Sequence, residues 1–286
     1  MADVTIYEVG PRDGLQNEKR IIPASEKIAL IDALSACGFR FIEAASFVSP
    51  RWVPQMADGA EVLAGIERQA DVIYAALTPN LRGLEAALAA SAVEVAVFVS
   101  ATEGFSKANL NCTIDESFER IAPVAERASA GGVGLRGYVS CVTDCPFDGR
   151  TEPAQVAAVA ARLFDLGCRE VSLGDTIGRG VPESVDAMLG AVLGIANAEH
   201  LAGHFHDTNG RALDNVEVAL DRGIRVFDSA VGGLGGCPYA PVAAGNLATE
   251  ALVGRLGVLG HETGLDPDCV RRAAAMAQGM RTGAGS

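Results

Sequence analysis

Two histidines separated by a single residue lie in the segment LAGHFHDTNG, residues 201–210, directly after an apolar run. They are half of the four histidines in the chain. Residues two apart in a strand point to the same face, so His204 and His206 can present two imidazoles side by side while Phe205 points away. Two neutral imidazoles and a carboxylate can bind a divalent ion with open coordination positions. The alternative is that both histidines only form hydrogen bonds in a polar surface.

Two other segments carry groups that could act with the histidines. GPRDG, residues 10–14, offers Asp13 as the metal-binding carboxylate and Arg12 as a partner for an anionic oxygen. Taken alone, this segment is more typical of a Gly/Pro turn with surface charges. VGGLGGCPYAP, residues 231–241, has four glycines before Cys237, which favours a loop that folds closely over a ligand. Its simpler interpretation is a flexible connection with an incidental thiol.

Short β-rich apolar runs alternate along the chain with longer segments of helical pattern. The eight runs are VTIYEVG, FRFIEAAS, DVIYAAL, VEVAVFVS, LRGYVSC, REVSLGD, HLAGHFHD and IRVFDSAVG. The helical segments cover about residues 25–37, 80–90, 115–130, 153–166, 183–197 and 211–222. Thr113 and Glu116 form a capping-box pattern at the start of the third of these.

This alternation predicts parallel strands joined by right-handed crossovers, and eight such units close a (β/α)₈ or TIM barrel. We therefore expect a single α/β domain over residues 1–281, with extra C-terminal helices and a disordered tail at residues 282–286. A doubly wound open sheet is the alternative, but no G-x-G-x-x-G segment follows the first strand.

In such a barrel the active groups lie just past the carboxyl ends of the strands, where the loops converge. The side chains at those positions that could do chemistry are Arg12, Asp13, Glu43, Ser46, Asp175, Thr176, His204, His206, Asp207, Cys237 and Asn246.

Composition excludes several classes of protein. A formal net charge of −13 argues against a nucleic-acid partner, because phosphate binding requires a field of Lys and Arg. No run approaches the roughly 20 apolar residues of a membrane span, and the start of the chain lacks a basic and then apolar leader, so we expect a cytoplasmic protein. Seven cysteines without a dense framework predict reduced thiols and no disulfides.

Five segments together resemble hydroxymethylglutaryl-CoA lyases, within the metal-dependent TIM-barrel lyase and aldolase superfamily. They are EVGPRDGLQNEK, FVSPRWVPQMAD, SLGDTIG, HFHDTNG and GGLGGCPYAPVAAGNLATE, and the likeness runs from about Asp3 to Leu256. The resemblance implies an acyl-CoA substrate, 3-hydroxy-3-methylglutaryl-CoA, cleaved to acetyl-CoA and acetoacetate with Mg²⁺ or Mn²⁺. It also implies a homodimer.

The same resemblance implies roles for individual residues. Arg12 resembles the catalytic arginine, Cys237 the loop thiol, and Asp175 and Glu43 the supporting acids. The implied metal ligands are Asp13, His204, His206 and Asn246. The expected substrate contacts are Arg12, Gln16 and Ser46. For the proton of the substrate hydroxyl, His204 and Asp175 are the two candidate bases.

Three other functions stay open from the sequence. A related lyase acting on a longer 3-hydroxy-3-alkylglutaryl-CoA or on citramalyl-CoA would share every motif, and Ala45 stands where a larger β-branched residue is usual. A metal-dependent hydrolase could also use H-x-H in a barrel, although amidohydrolases usually carry it on the first strand. A non-catalytic metal-binding or scaffold protein would leave Arg12, Cys237 and Asp175 without a purpose.

Overall fold

Eight parallel strands close into a barrel in the computed structural model, which describes residues 3–236 and 245–282. The strands are β1 (Thr5–Glu8), β2 (Phe41–Ser46), β3 (Ile73–Leu77), β4 (Glu94–Ser100), β5 (Gly134–Ser140), β6 (Glu170–Asp175), β7 (Leu201–Phe205) and β8 (Val226–Ser229). Each strand pairs with the next along the chain, and β8 pairs with β1 to complete the ring. All eight predicted strands are confirmed.

A helix follows every strand. The eight are α1 (Ala24–Ser35), α2 (Gly59–Gly65), α3 (Leu81–Ala89), α4 (Ile114–Ala130), α5 (Pro153–Asp165), α6 (Pro182–Val192), α7 (Ala212–Asp221) and α8 (Thr249–Val258). A further helix, α9 (Pro267–Thr282), lies beyond the eighth unit. The predicted TIM barrel with additional C-terminal helical structure is thus confirmed.

The observed helix boundaries differ most from the predicted ones where the sequence pattern is weak. The segment predicted at 183–197 ends at Val192, with Leu193 as the C-cap and Gly194 after it. The sequence does not predict α2, because its seven residues show too little periodicity. The Thr113 and Glu116 capping box is confirmed, with each side chain bonded to the backbone N–H of the other. Thr282 is the last residue of α9, and the rest of the predicted tail lies outside the described residues.

The interior of the barrel carries charge as well as apolar side chains. Arg136 of β5 is fully buried and donates two hydrogen bonds to Asp228 of β8, at 2.7 and 3.2 Å. A third donated bond, at 2.7 Å, reaches Glu170. The guanidinium carbon lies 4.0 Å from the ring centre of Tyr7 and 4.8 Å from that of Tyr138. The two carboxylates and the two aromatic rings offset the unfavourable burial of the guanidinium charge.

One disulfide contradicts the expectation of wholly reduced thiols. Cys37, just after α1, is bonded to Cys269 in the first turn of α9. The prediction failed because 232 residues separate the two cysteines, and only the closed barrel places α9 against α1. Cys112, Cys145 and Cys168 are free and buried, and Cys141 is buried as well. Within the described residues, no helix has the length and apolar character needed to cross a membrane.

Replacing Cys269 with serine removes the covalent link between α1 and α9. We expect the free energy of unfolding, measured by denaturant titration without reductant, to fall by about 2–4 kcal/mol, because the cross-link restricts the unfolded chain. With dithiothreitol present, Cys269→Ser and the unsubstituted protein should unfold at the same denaturant concentration. Equal midpoints without reductant would show that the two thiols are not bonded in solution.

Candidate active site

The loop after β1 begins with one π-helical turn, Gly10–Gly14. The backbone N–H groups of Arg12, Asp13 and Gly14 all point to the carbonyl of Val9, at 3.2, 2.8 and 3.2 Å. This tight turn places the neighbouring side chains of Arg12 and Asp13 together at the carboxyl end of the barrel. A Cβ on Gly14 would lie 2.7 Å from Cβ of Leu234, so the turn also packs directly on the loop after β8.

Arg12 is buried and held between two carboxylates. Its Nε donates to Oε2 of Glu43 at 2.6 Å, and its Nη1 donates to Oδ1 of Asp13 at 2.7 Å. The hydroxyl of Tyr138 donates to the same Oε2 of Glu43 at 3.2 Å. Burial would lower the pKa of Arg12, but the charges of Glu43 and Asp13 outweigh it and raise the pKa. The guanidinium therefore keeps its charge and a defined orientation.

The two histidines lie on and just past β7, with ring centres 5.4 Å apart. His204 is paired in register with Asp228 of β8, and its Nδ1 lies 3.1 Å from Oδ2 of that carboxylate. The same oxygen accepts the hydroxyl of Ser172 at 2.7 Å. A carboxylate at Nδ1 fixes the imidazole tautomer and leaves Nε2 as the nitrogen that can bind a metal.

Asp13, His204 and His206 form a cluster whose possible ligand atoms all lie within 4.8 Å of one another. Asn246 joins them through an isolated bridge to His206, and its Nδ2 donates to Oδ2 of Asp13 at 2.8 Å. One strand end and two loops thus supply groups far apart in sequence. The structure brings together all four residues that the resemblance implies as metal ligands.

Two buried atoms in this cluster lack a hydrogen-bond partner among the described residues: Nδ1 of His206 and Oδ1 of Asn246. Burial lowers the pKa of His206 to about 4, with a smaller contribution from the charge of His204, so the ring is neutral. For Asp13, burial raises the pKa, but the charges of Arg12 and both histidines lower it further, so the carboxylate is ionised. The cluster thus offers a neutral imidazole, a carboxylate and an amide oxygen without a hydrogen-bond partner. These are groups that can ligate a divalent cation.

A cavity of about 680 Å³ opens above this cluster. Arg12, Asp13 and both histidines lie in its wall, together with Gln16. Its apolar lining residues include Val48, Val53, Leu77, Phe98 and Phe105, and its basic ones include Lys107 and Arg120. Reactive polar groups thus meet an apolar wall in one pocket, which is the usual composition of a small-molecule site.

A family model described as HMGL-like matches residues 3–277. The chain belongs to the HMGL-like family. The crystal structure of the HMG-CoA lyase from Brucella melitensis is 60% identical, covers 99% of this chain and 100% of that one, and superposes with a TM-score of 0.97. The 3-hydroxy-3-isohexenylglutaryl-CoA/hydroxy-methylglutaryl-CoA lyase of Pseudomonas aeruginosa is 55% identical over 92% of this chain and 88% of its own.

Another similar structure contains bound ligands. The structure of an HMG-CoA lyase from Acinetobacter baumannii in complex with coenzyme A and 3-methylmalate is 39% identical to this chain. It covers 98% of this chain and 91% of the other, with a TM-score of 0.93.

Some residues implied by the resemblance do not line the cavity of this HMGL-like protein. Glu43 is fully buried and reaches the site through its bonds from Arg12 and Tyr138. Ser46 is also buried, and its Oγ has no hydrogen-bond partner among the described residues. Cys237 lies outside the described residues.

Asp175 is likewise buried, at the end of β6, and its carboxylate is already occupied. It accepts the hydroxyl of Thr143 at 2.9 Å and the backbone N–H of Gly180 at 2.9 Å. The backbone N–H of Arg179 adds a third bond at 3.3 Å. The bonds from Arg179 and Gly180 hold the loop between β6 and α6, and Asp175 is not among the residues that line the cavity.

The sequence reasoning missed three residues that support the site. Arg136, Tyr138 and Asp228 lie within strands, where side chains are usually taken as core. For Arg136 and Asp228 the sequence does contain a signal: each is a charged residue inside an otherwise apolar strand, in LRGYVS and in VFDSA. Such residues are seldom fully buried unless they are paired, which marks them as parts of a buried network.

We expect Asp228→Asn to raise the Kd for Mn²⁺ by about 10–100-fold, measured by calorimetry. The reason is that an amide beside Nδ1 of His204 lacks the negative charge with which the carboxylate orients and polarises the imidazole. Ser172→Ala is the matched control, since it removes only the hydroxyl bond to the same carboxylate, and its effect should be much smaller. Circular dichroism identifies variants that fold. An unchanged Kd in folded Asp228→Asn would show that this carboxylate does not support metal binding.

Proposed function

We propose that this HMGL-like protein is a divalent-metal-dependent carbon–carbon lyase that cleaves 3-hydroxy-3-methylglutaryl-CoA to acetyl-CoA and acetoacetate. One observation carries the proposal: the cluster of Asp13, His204 and His206 faces the same cavity as the buried guanidinium of Arg12. The names of the similar lyases agree with it.

The reaction breaks the bond between the α-carbon of the thioester and the tertiary alcohol carbon. The hydroxyl loses its proton, and the alcohol carbon becomes the ketone of acetoacetate. The electron pair of the broken bond passes to the thioester fragment as an enolate, and a proton added to the α-carbon completes acetyl-CoA. Two proton transfers and one developing negative charge must therefore be provided for.

The proposed metal is Mg²⁺ or Mn²⁺, since carboxylate, amide oxygen and imidazole ligands accept either. Asp13, His204, His206 and Asn246 would hold it. Bound there, the ion supplies Lewis acidity that lowers the pKa of the hydroxyl and stabilises the developing ketone.

Arg12 is the group we assign to the enolate oxygen. It is oriented by Glu43 and Asp13 and remains charged, so its stabilising charge is in place before the reaction begins. Gln16 lies in the same wall and can hydrogen-bond a carbonyl or carboxylate oxygen of the substrate. Ser46 stays a prediction as a substrate contact.

The protons need separate groups. Cys237 is proposed to protonate the α-carbon, and the described part of its loop, up to Gly236, does reach the cavity. We assign the hydroxyl proton to solvent water in the open cavity, and not to Asp175, whose carboxylate is occupied by loop bonds, or to His204. In the proposed site His204 has Nδ1 committed to Asp228 and Nε2 to the metal.

A longer 3-hydroxy-3-alkylglutaryl-CoA is a second candidate substrate. The apolar wall formed by Val48, Leu77 and Phe98 could contain an alkyl branch, and the P. aeruginosa relative carries both substrates in its name. Lys107 and Arg120 are the basic residues that we propose to contact the phosphates of coenzyme A.

The proposed homodimer rests on the resemblance, and the proposed cytoplasmic location rests on the composition. Light scattering after size-exclusion chromatography tests whether the protein is a dimer.

Incubating the purified protein with Mg²⁺ and 3-hydroxy-3-methylglutaryl-CoA should release acetoacetate and acetyl-CoA in equal amounts, measured by mass spectrometry. The same incubation with EDTA in place of Mg²⁺ should release neither. A parallel reaction with a longer 3-alkyl analogue compares the two candidate substrates. Metal binding without release of either product would contradict lyase activity.

Arg12→Gln should lower kcat by at least about a hundredfold, the scale expected when one transition-state charge partner is lost. Its Kd for Mn²⁺ should stay close to that of the unsubstituted protein, because Arg12 is not a proposed ligand. Arg120→Gln is the matched control: it should mainly raise KM. A kcat in Arg12→Gln within a few-fold of the unsubstituted value would remove Arg12 from the mechanism.

A further inference from the structure

Glu8, the last residue of β1, has a completely buried carboxylate with no Lys, Arg or His partner in the described part of the chain. It accepts three hydrogen bonds instead. The backbone N–H groups of Gly10 and Val231 donate to Oε1, at 2.8 and 3.1 Å. The hydroxyl of Thr249 donates to Oε2 at 2.7 Å. Burying a carboxylate without a cation is unfavourable, and burial raises the pKa of Glu8 to about 8.

The three donors belong to three separate segments. Gly10 begins the π-helical turn that carries Asp13, Val231 begins a 3₁₀ turn in the loop after β8, and Thr249 is the first residue of α8. One side chain therefore connects both loops that surround the proposed metal. An apolar side chain would fill the same space without the desolvation penalty, but it could not bind these donors.

The loop after β8 in turn positions Asn246. The backbone N–H and the Nδ2 of Asn246 both donate to the carbonyl of Leu234, at 3.2 Å each. Gly232, between Val231 and Leu234, donates its N–H to Oε2 of Glu250 at 3.0 Å. Movement of this loop away from Glu8 would displace Asn246 from Asp13.

The contact with the first loop depends on a glycine. A Cβ on Gly10 would lie 2.5 Å from Oε1 of Glu8, closer than any real contact allows. Gly10→Ala would therefore push the carboxylate out of its present position without removing it.

We propose that Glu8 is a positioning residue that sets the distance between Asp13 and Asn246, the two proposed metal ligands on the loops after β1 and β8. This inference rests on the proposed metal site. The histidines on β7 keep their own support from Asp228, so loss of Glu8 weakens the site from one side only.

The test compares Glu8→Leu with Glu8→Gln, which retains an oxygen that can accept both backbone N–H groups. Glu8→Leu should raise the Kd for Mn²⁺ by about tenfold or more, the scale found for residues that orient metal ligands, while Glu8→Gln should stay within about threefold. Gly10→Ala should weaken binding as Glu8→Leu does, and it replaces that variant if Glu8→Leu does not fold.

Glu94→Leu is the matched control. Glu94 is another buried carboxylate, at the start of β4, where it accepts the hydroxyl of Tyr7 at 2.7 Å and pairs with Arg169 at the opposite end of the barrel. Its loss should destabilise the fold and leave the Kd for Mn²⁺ unchanged. Amide hydrogen exchange over residues 9–15 and 230–236 should accelerate in Glu8→Leu and not in Glu94→Leu.

Unchanged Mn²⁺ affinity and unchanged exchange in folded Glu8→Leu would overturn the proposal, as would an equal loss of affinity in Glu94→Leu. If the unsubstituted protein binds no Mn²⁺, the proposed metal site is wrong instead. Hydrogen exchange in the two loops, which needs no metal, then still decides whether Glu8 couples them.

Discussion

The buried ion pair between Arg136 and Asp228 is the interaction on which the geometry of the site depends. Burial raises the pKa of Asp228, but the charges and hydrogen bonds of Arg136 and His204 lower it further, well below its ordinary range. The carboxylate is therefore charged at neutral pH, and its position is set by the bidentate guanidinium and by Ser172. A hydrophobic replacement could fill the same space, but it could not orient the imidazole of His204.

Strands and loops contribute to the site in different ways. His204, Asp228 and Arg136 lie on barrel strands, so their relative positions follow from the register of the sheet. Asp13 and Asn246 lie on the loops after β1 and β8, which have no register of their own. Their positions depend on individual hydrogen bonds, such as that from Asn246 to Asp13 and those accepted by Glu8. Strand residues therefore provide a rigid base, and buried polar contacts bring the loop ligands to it.

Arg12 shows how burial and charge combine in the proposed chemistry. Its guanidinium faces a cavity of about 680 Å³ while Glu43, behind it, provides a fixed counter-charge. The arrangement resists reorientation when negative charge develops on a bound substrate, which is the property that makes a preorganised cation effective. Asp175, expected among the acids of the site, instead stabilises the loop after β6. An aspartate past the end of β6 thus makes loop bonds, whereas Asp13 past the end of β1 joins the proposed metal cluster.

Local pattern alone determined the barrel and the histidine pair. Apolar runs separated by helical segments specify eight βα units, and a two-residue spacing on a strand specifies that His204 and His206 share a face, because both follow from backbone periodicity. Tertiary structure alone decided which distant groups meet them. The bonds from His204 to Asp228, from Asn246 to Asp13 and from Val231 to Glu8 join residues 24, 233 and 223 positions apart. The disulfide joins residues 232 apart, and no periodicity over such separations encodes a contact. The bond from His204 to Asp228 follows from the pairing of β7 with β8, and the other three contacts exist because the barrel closes and places β8, α8 and α9 beside β1 and α1.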